Sequence, residues 1–111
     1  MLQAPDKTTK EILDLARYIE ELSPGRYRQS CYVDPMGARC ICGWFNYRKC
    51  HFNQDDWRYA QAEMGLTKLQ AQQLFEGHPY NYSRNEPPTA KEAARVLRHL
   101  AVTGEVDWSF A

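Results

Sequence analysis

The chain has 111 residues, enough for one hydrophobic core, and 14 Lys and Arg balance 14 Asp and Glu, so no whole-domain polycation coats a nucleic acid here. A content of 43% hydrophobic and 13% aromatic residues excludes a disordered chain. Apolar runs of only a few residues exclude a predicted transmembrane helix.

The sequence reads as a single domain, 1–111, with residues 1–8 as a flexible lead-in. Thr8 and Glu11 have capping-box spacing, and Ile12, Leu15, Ala16, Ile19 and Leu22 follow as one apolar stripe. They predict an amphipathic helix over 9–22, stopped by Ser23-Pro24-Gly25. Residues 26–42 change period. Tyr27, Cys31, Tyr32 and Val33 favour strand, as do Cys40 and Ile41, and Asp34-Pro35-Met36-Gly37 between them is a turn sequence. The expectation is a β-hairpin with two registers open, Cys31 opposite Cys40 or opposite Ile41.

Gly43 to Cys50 then predicts a helix on that hairpin. Asn53 or Asp55 is placed to cap a helix carrying Trp57, Ala60 and Met64 and ending at Gly65. Thr67 and Gln70 open another, with Leu69, Leu74 and Phe75, up to Gly77. Residues 78–88 read as loop. Thr89 and Glu92 cap a long helix with Ala93, Val96, Leu97 and Leu100 inward, closed by Gly104. Val106-Asp107-Trp108 is expected to fold back as a short extended tail. The predicted class is α+β: four or five short helices with one two-stranded β-hairpin. Its core is Ile12, Leu15, Ile19, Trp44, Phe45, Leu74, Val96, Leu97 and Leu100.

Three groups of residues bear on function. Cys31, Cys40, Cys42, Cys50 and His51 would be the ligands if the chain held zinc. Their spacing contains no CxxC knuckle, so free thiols acting as small core residues, and no metal or other cofactor, are the favoured reading. Residues 57–76 have helix-turn-helix spacing around Gly65, which would turn Lys68, Gln72 and Gln73 outward to DNA. Against this stand Leu69 on the reading face and a second helix with one Lys and no Arg. The third group is Tyr80, Tyr82 and Arg84 in the 78–88 loop, residue types enriched at protein-binding hot spots. No nucleotide-binding loop and no nucleophile–base arrangement is legible, so no catalytic residue is assigned.

Gly37-Ala38-Arg39-Cys40-Ile41-Cys42-Gly43-Trp44, Gly65-Leu66-Thr67 before Leu74-Phe75, and Pro88-Thr89-Ala90-Lys91-Glu92 before Val96-Leu97 resemble small actinobacterial and mycobacteriophage proteins. The ending Thr103-Gly104-Glu105-Val106-Asp107-Trp108 is similar to actinophage chains. No established activity comes with the resemblance, which implies an accessory phage protein acting on its bacterial host. Together these readings predict a non-enzymatic protein that binds a host or phage protein through Tyr80, Tyr82 and Arg84. The alternative is a DNA-binding regulator using Lys68, Gln72 and Gln73. The cytoplasm is the expected compartment, because Met1 to Lys7 hold no apolar signal segment. Near-zero net charge leaves a homodimer open, and no membrane partner is expected.

Overall fold

The computed structural model describes residues 7–28, 35, 37–51, 57–75 and 88–110. Among them are five α-helices: α1 (Lys7–Glu20), α2 (Ile41–Arg48), α3 (Trp57–Glu63), α4 (Lys68–Phe75) and α5 (Ala90–Thr103). A 3-10 turn, Trp108–Phe110, follows.

The long helices α1 and α5 form the frame and pack on each other more extensively than any other pair. Apolar residues three and four apart fall on one side of a helix. That side is Ile12, Leu15, Ala16 and Ile19 on α1, and Ala93, Val96, Leu97 and Leu100 on α5, all buried. Each fully buried Leu, Ile or Val contributes about 1.5–3 kcal/mol. Outside the seam, Arg98 donates two hydrogen bonds to the Glu20 carboxylate, at 2.7 and 2.9 Å. α1 begins at Lys7, earlier than expected, so Thr8 lies within the helix instead of capping it. All nine predicted core residues are buried.

Two capping boxes form where the sequence places them. Thr89 Oγ1 accepts from the Glu92 amide at 3.2 Å, and Glu92 accepts from the Thr89 amide at 2.9 Å. Thr67 and Gln70 reciprocate in the same way, at 3.0 and 2.8 Å. Trp108 folds back, its Nε1 donating to the Gln73 carbonyl at 2.8 Å. It does so from the 3-10 turn, not from an extended tail.

The hairpin is the main correction. No strand occurs among the described residues, and the expected α+β class gives way to a helical domain. A single parallel bridge joins Tyr27 and Arg39. The Arg28 amide donates to the Arg39 carbonyl, and the Arg39 amide to the Arg26 carbonyl. Neither expected register is available to the second strand, because Cys40 caps α2 and Ile41 is its first residue. The Cys40 carbonyl accepts from the Trp44 amide at 2.9 Å, and Cys40 Sγ accepts from the Gly43 amide at 3.5 Å. Six consecutive residues, Ile41 to Asn46, are buried. A helix buried on nearly every side has no 3.6-residue rhythm, so its apolar run reads as strand. The remaining hairpin residues, 29–34 and 36, lie outside the described residues.

α2 and α3 end in the same backbone motif, with different residues at its left-handed position. At the end of α3, the Leu66 amide donates to the Gln61 carbonyl and the Gly65 amide to the Ala62 carbonyl. Gly65 sits at φ +67 there, and a Cβ on it would stand 2.8 Å from Thr8 Cγ2. The α3–α4 corner therefore rests directly on α1. At the end of α2, the His51 amide donates to the Asn46 carbonyl and the Cys50 amide to the Tyr47 carbonyl. Here Cys50 takes φ 56, a conformation that strains a side-chain-bearing residue. Among the described residues, no helix is long and apolar enough to cross a membrane.

Candidate functional site

The arrangement with most chemical content is built around Trp44. Its ring is only 2% exposed, and its Nε1 donates to the Arg26 carbonyl at 2.9 Å. Tyr18 from α1 and Tyr47 from α2 flank it, with ring centroids 5.8 and 5.4 Å away. Trp44, Tyr47 and Arg48 lie at helical spacings of three and four, which puts them on adjoining parts of the α2 surface.

Three guanidinium groups lie over this aromatic row. Arg26 Cζ stands 5.6 Å from the Trp44 centroid, and Arg39 Cζ stands 5.4 Å from Trp44 and 4.6 Å from Tyr47. Arg48 Cζ stands 5.1 Å from the Tyr18 centroid. The Tyr27–Arg39 bridge is what brings Arg26 and Arg39 to the same ring. Beside the row runs an open groove of about 320 Å³, lined by Tyr18, Glu21, Leu22, Arg26, Trp44 and Tyr47 together with Ser23.

Electrostatics set this face apart. Three ion pairs engage other cations: Lys49 with Glu11 at 2.7 Å, Arg17 with Glu21 at 3.3 Å, and Arg98 with Glu20. Arg39 Nε and Arg48 Nη1 are instead buried with no hydrogen-bond partner. A buried donor left without an acceptor costs about 1–3 kcal/mol. A partly desolvated cation–π contact returns about 0.5–2 kcal/mol. The two effects are comparable, so these arginines add little net stability to the fold. Burial raises the Tyr27 phenol well above its ordinary value of 10, with Cys40 adding to the shift, so Tyr27 stays neutral.

The residues singled out from the sequence fall elsewhere. Tyr80, Tyr82, Arg84 and Cys31 lie outside the described residues. Lys68, Gln72 and Gln73 are exposed on α4, as the helix-turn-helix reading requires, and Leu69 among them is 62% exposed. The C-terminal segment braces this helix: Gln70 Nε2 donates to the Gly104 carbonyl, and the Gln73 carbonyl is taken by Trp108. A second groove, of about 550 Å³, lies at the α3–α4 corner and is lined by Trp57, Arg58, Gln61, Ala62, Leu66 and Lys68.

Among the described residues, Cys40, Cys42 and Cys50 do not form a cluster with His51. A strand would place the sulfurs of Cys40 and Cys42 on one side, but α2 separates their tasks. Cys40 caps the helix, and Cys42 Sγ accepts from Asn46 Nδ2 at 3.9 Å inside it. Cys50 is exposed, and His51 stacks on Tyr59 at 4.0 Å. Among the described residues, no three His, Cys, Asp or Glu side chains are grouped to hold a metal ion.

Sequence reasoning missed Arg26, Arg39, Tyr47 and Arg48 as a set, although a signal was present. Residues 26–51 contain five Lys and Arg but one acidic residue, Asp34. The zero net charge of the whole chain conceals that local excess. No protein-family model, curated protein or solved structure matches the chain.

Proposed function

We propose that this chain is a small, non-enzymatic binding protein that engages a protein partner through the Tyr18–Trp44–Tyr47 row and its arginines. The observation that carries this reading is that two guanidinium groups are laid over aromatic rings, Arg39 over the buried Trp44 and Arg48 over the half-buried Tyr18, each with a buried donor atom left unfilled. Such an arrangement gives the isolated fold little, and local conflicts of this kind mark functional surfaces. Arg and aromatic side chains fixed in advance also lower the ordering cost of association. The resemblance to accessory phage proteins supports a partner from the bacterial host and a cytoplasmic setting.

The test is selection from a displayed random peptide library on the full chain, followed by rebinding to Arg39→Gln and Tyr47→Ala variants. Binders that lose affinity for both variants support the reading. A selected set indifferent to both variants would reject this face.

One observation favours a second reading, DNA binding by α4: Lys68, Gln72 and Gln73 are all exposed on that helix. It requires salt-sensitive binding to duplex DNA that weakens in Lys68→Ala. Absence of binding at low salt and micromolar protein would remove it.

A further inference from the structure

Resting on that reading, we infer that the partner segment is acidic: a peptide whose Asp or Glu carboxylates meet Arg26, Arg39 and Arg48 while an apolar side chain enters the neighbouring groove.

A ligand can meet only the surfaces that the fold leaves free. The Trp44 ring is enclosed, and guanidinium groups already lie over Trp44, Tyr47 and Tyr18. Of the three rings Tyr47 alone is exposed, at 42%, so stacked bases would find one platform and not a row, which argues against a stacked oligonucleotide. What remains is the edge of each guanidinium. Arg39 and Arg48 are partly exposed while one nitrogen of each is buried, so the groups turn a buried side inward and another outward. A guanidinium with one side buried still offers its remaining N–H donors, whose spacing matches a carboxylate.

Charge distribution selects a peptide over a nucleic acid. The basic segment 26–51 is bordered by α1, which carries Glu11, Asp14, Glu20 and Glu21. Glu21 itself lines the groove. Glu11 and Glu20 are already paired with Lys49 and Arg98, but a continuous polyphosphate crossing this face would still run against Glu21 at the groove, and the neutral chain supplies no long-range attraction to offset it. Spaced acidic side chains can meet the three arginines and avoid α1. Leu22, Tyr18 and Tyr47 along the groove give the segment an apolar contact as well.

Calorimetry on the full chain tests the inference with three probes. One is a pool of twelve-residue peptides randomised over Asp, Glu and apolar residues. The second is the same pool with Asn and Gln replacing the acids, and the third is a fifteen-base oligothymidylate. The acidic pool should bind at least about tenfold more tightly than the amide pool. Arg39→Gln and Arg48→Gln should each weaken it about ten- to a hundred-fold, the worth of a charge-assisted hydrogen bond. Arg95→Gln, on the exposed side of α5, should leave it unchanged, and thermal melts confirm that each variant is folded. Equal affinity for the two peptide pools, with loss in the arginine variants, would overturn the acidic partner yet leave the binding face standing. Peptide binding indifferent to the arginine variants, or no binding by any probe or displayed peptide, would overturn both. Tighter binding of the oligonucleotide would replace the peptide by a nucleic acid.

Discussion

The α1–α5 pair and the segment from Arg26 to His51 bury their side chains in opposite ways. The pair has one apolar stripe per helix, polar outer sides, and at α5 a complete cap at each end. The segment has a short helix buried on almost every side and a row of rings contacted by arginines. In the pair, the apolar periodicity of both helices and the caps of α5 agree with the global fold, and only the Thr8 cap of α1 does not form. In the segment, a cysteine occupies a left-handed position and guanidinium donors stay unfilled. The difference separates a scaffold from the segment proposed above as the binding surface.

The largest effect asks whether the segment is integral to the core. Trp44→Ala should cost about 3–5 kcal/mol and Leu97→Ala about 2–5 kcal/mol in denaturant melts, since both side chains are fully enclosed. A loss below about 1 kcal/mol for Trp44→Ala would show the segment merely attached to the α1–α5 frame. Gly65→Ala follows, at about 1–3 kcal/mol, because a positive φ and contact with Thr8 act together. An unchanged melt there would mean that the α3–α4 corner does not rest on α1.

Cys50→Gly sharpens the contrast from the other side. The same backbone motif closes α3 with glycine and α2 with cysteine. Relieving that strain should raise stability by about 1 kcal/mol. A destabilised Cys50→Gly would indicate that its thiol side chain supports the fold.

The smallest effect concerns pH. The Arg98 hydrogen bonds hold the Glu20 carboxyl below its ordinary 4.5. Its contribution is therefore complete above that value and lost as pH falls through the lowered one. The melting temperature of the wild type should exceed that of Glu20→Gln slightly at neutral pH, and the gap should close in acid. A gap independent of pH would assign the effect to packing instead.

The two regions were also unequally legible. The stripe Ile12, Leu15, Ile19 and the Thr89–Glu92 box specify their helices through periodicity and capping, which are local properties. α2 has no such rhythm. Cys40-Ile41-Cys42 has strand-like composition, and the Cys40 cap with burial on nearly every side makes a helix of it. The candidate site was less legible still. Arg26 and Arg39 are thirteen positions apart and meet at Trp44 through one bridge. Local charge excess was the signal available, and it names the segment without naming the geometry. For Tyr80, Tyr82 and Arg84 the structure offers no comparison, because they lie outside the described residues.

The most direct test is the double variant Arg39→Gln/Arg48→Gln, measured for stability by denaturant melt and for binding to the acidic peptide pool. Unfilled donors and cation–π contacts nearly cancel, so stability should stay within about 1 kcal/mol of the wild type while binding is lost. A fall of more than about 3 kcal/mol with binding intact in the remaining folded protein would contradict the account, making the arginines part of the scaffold.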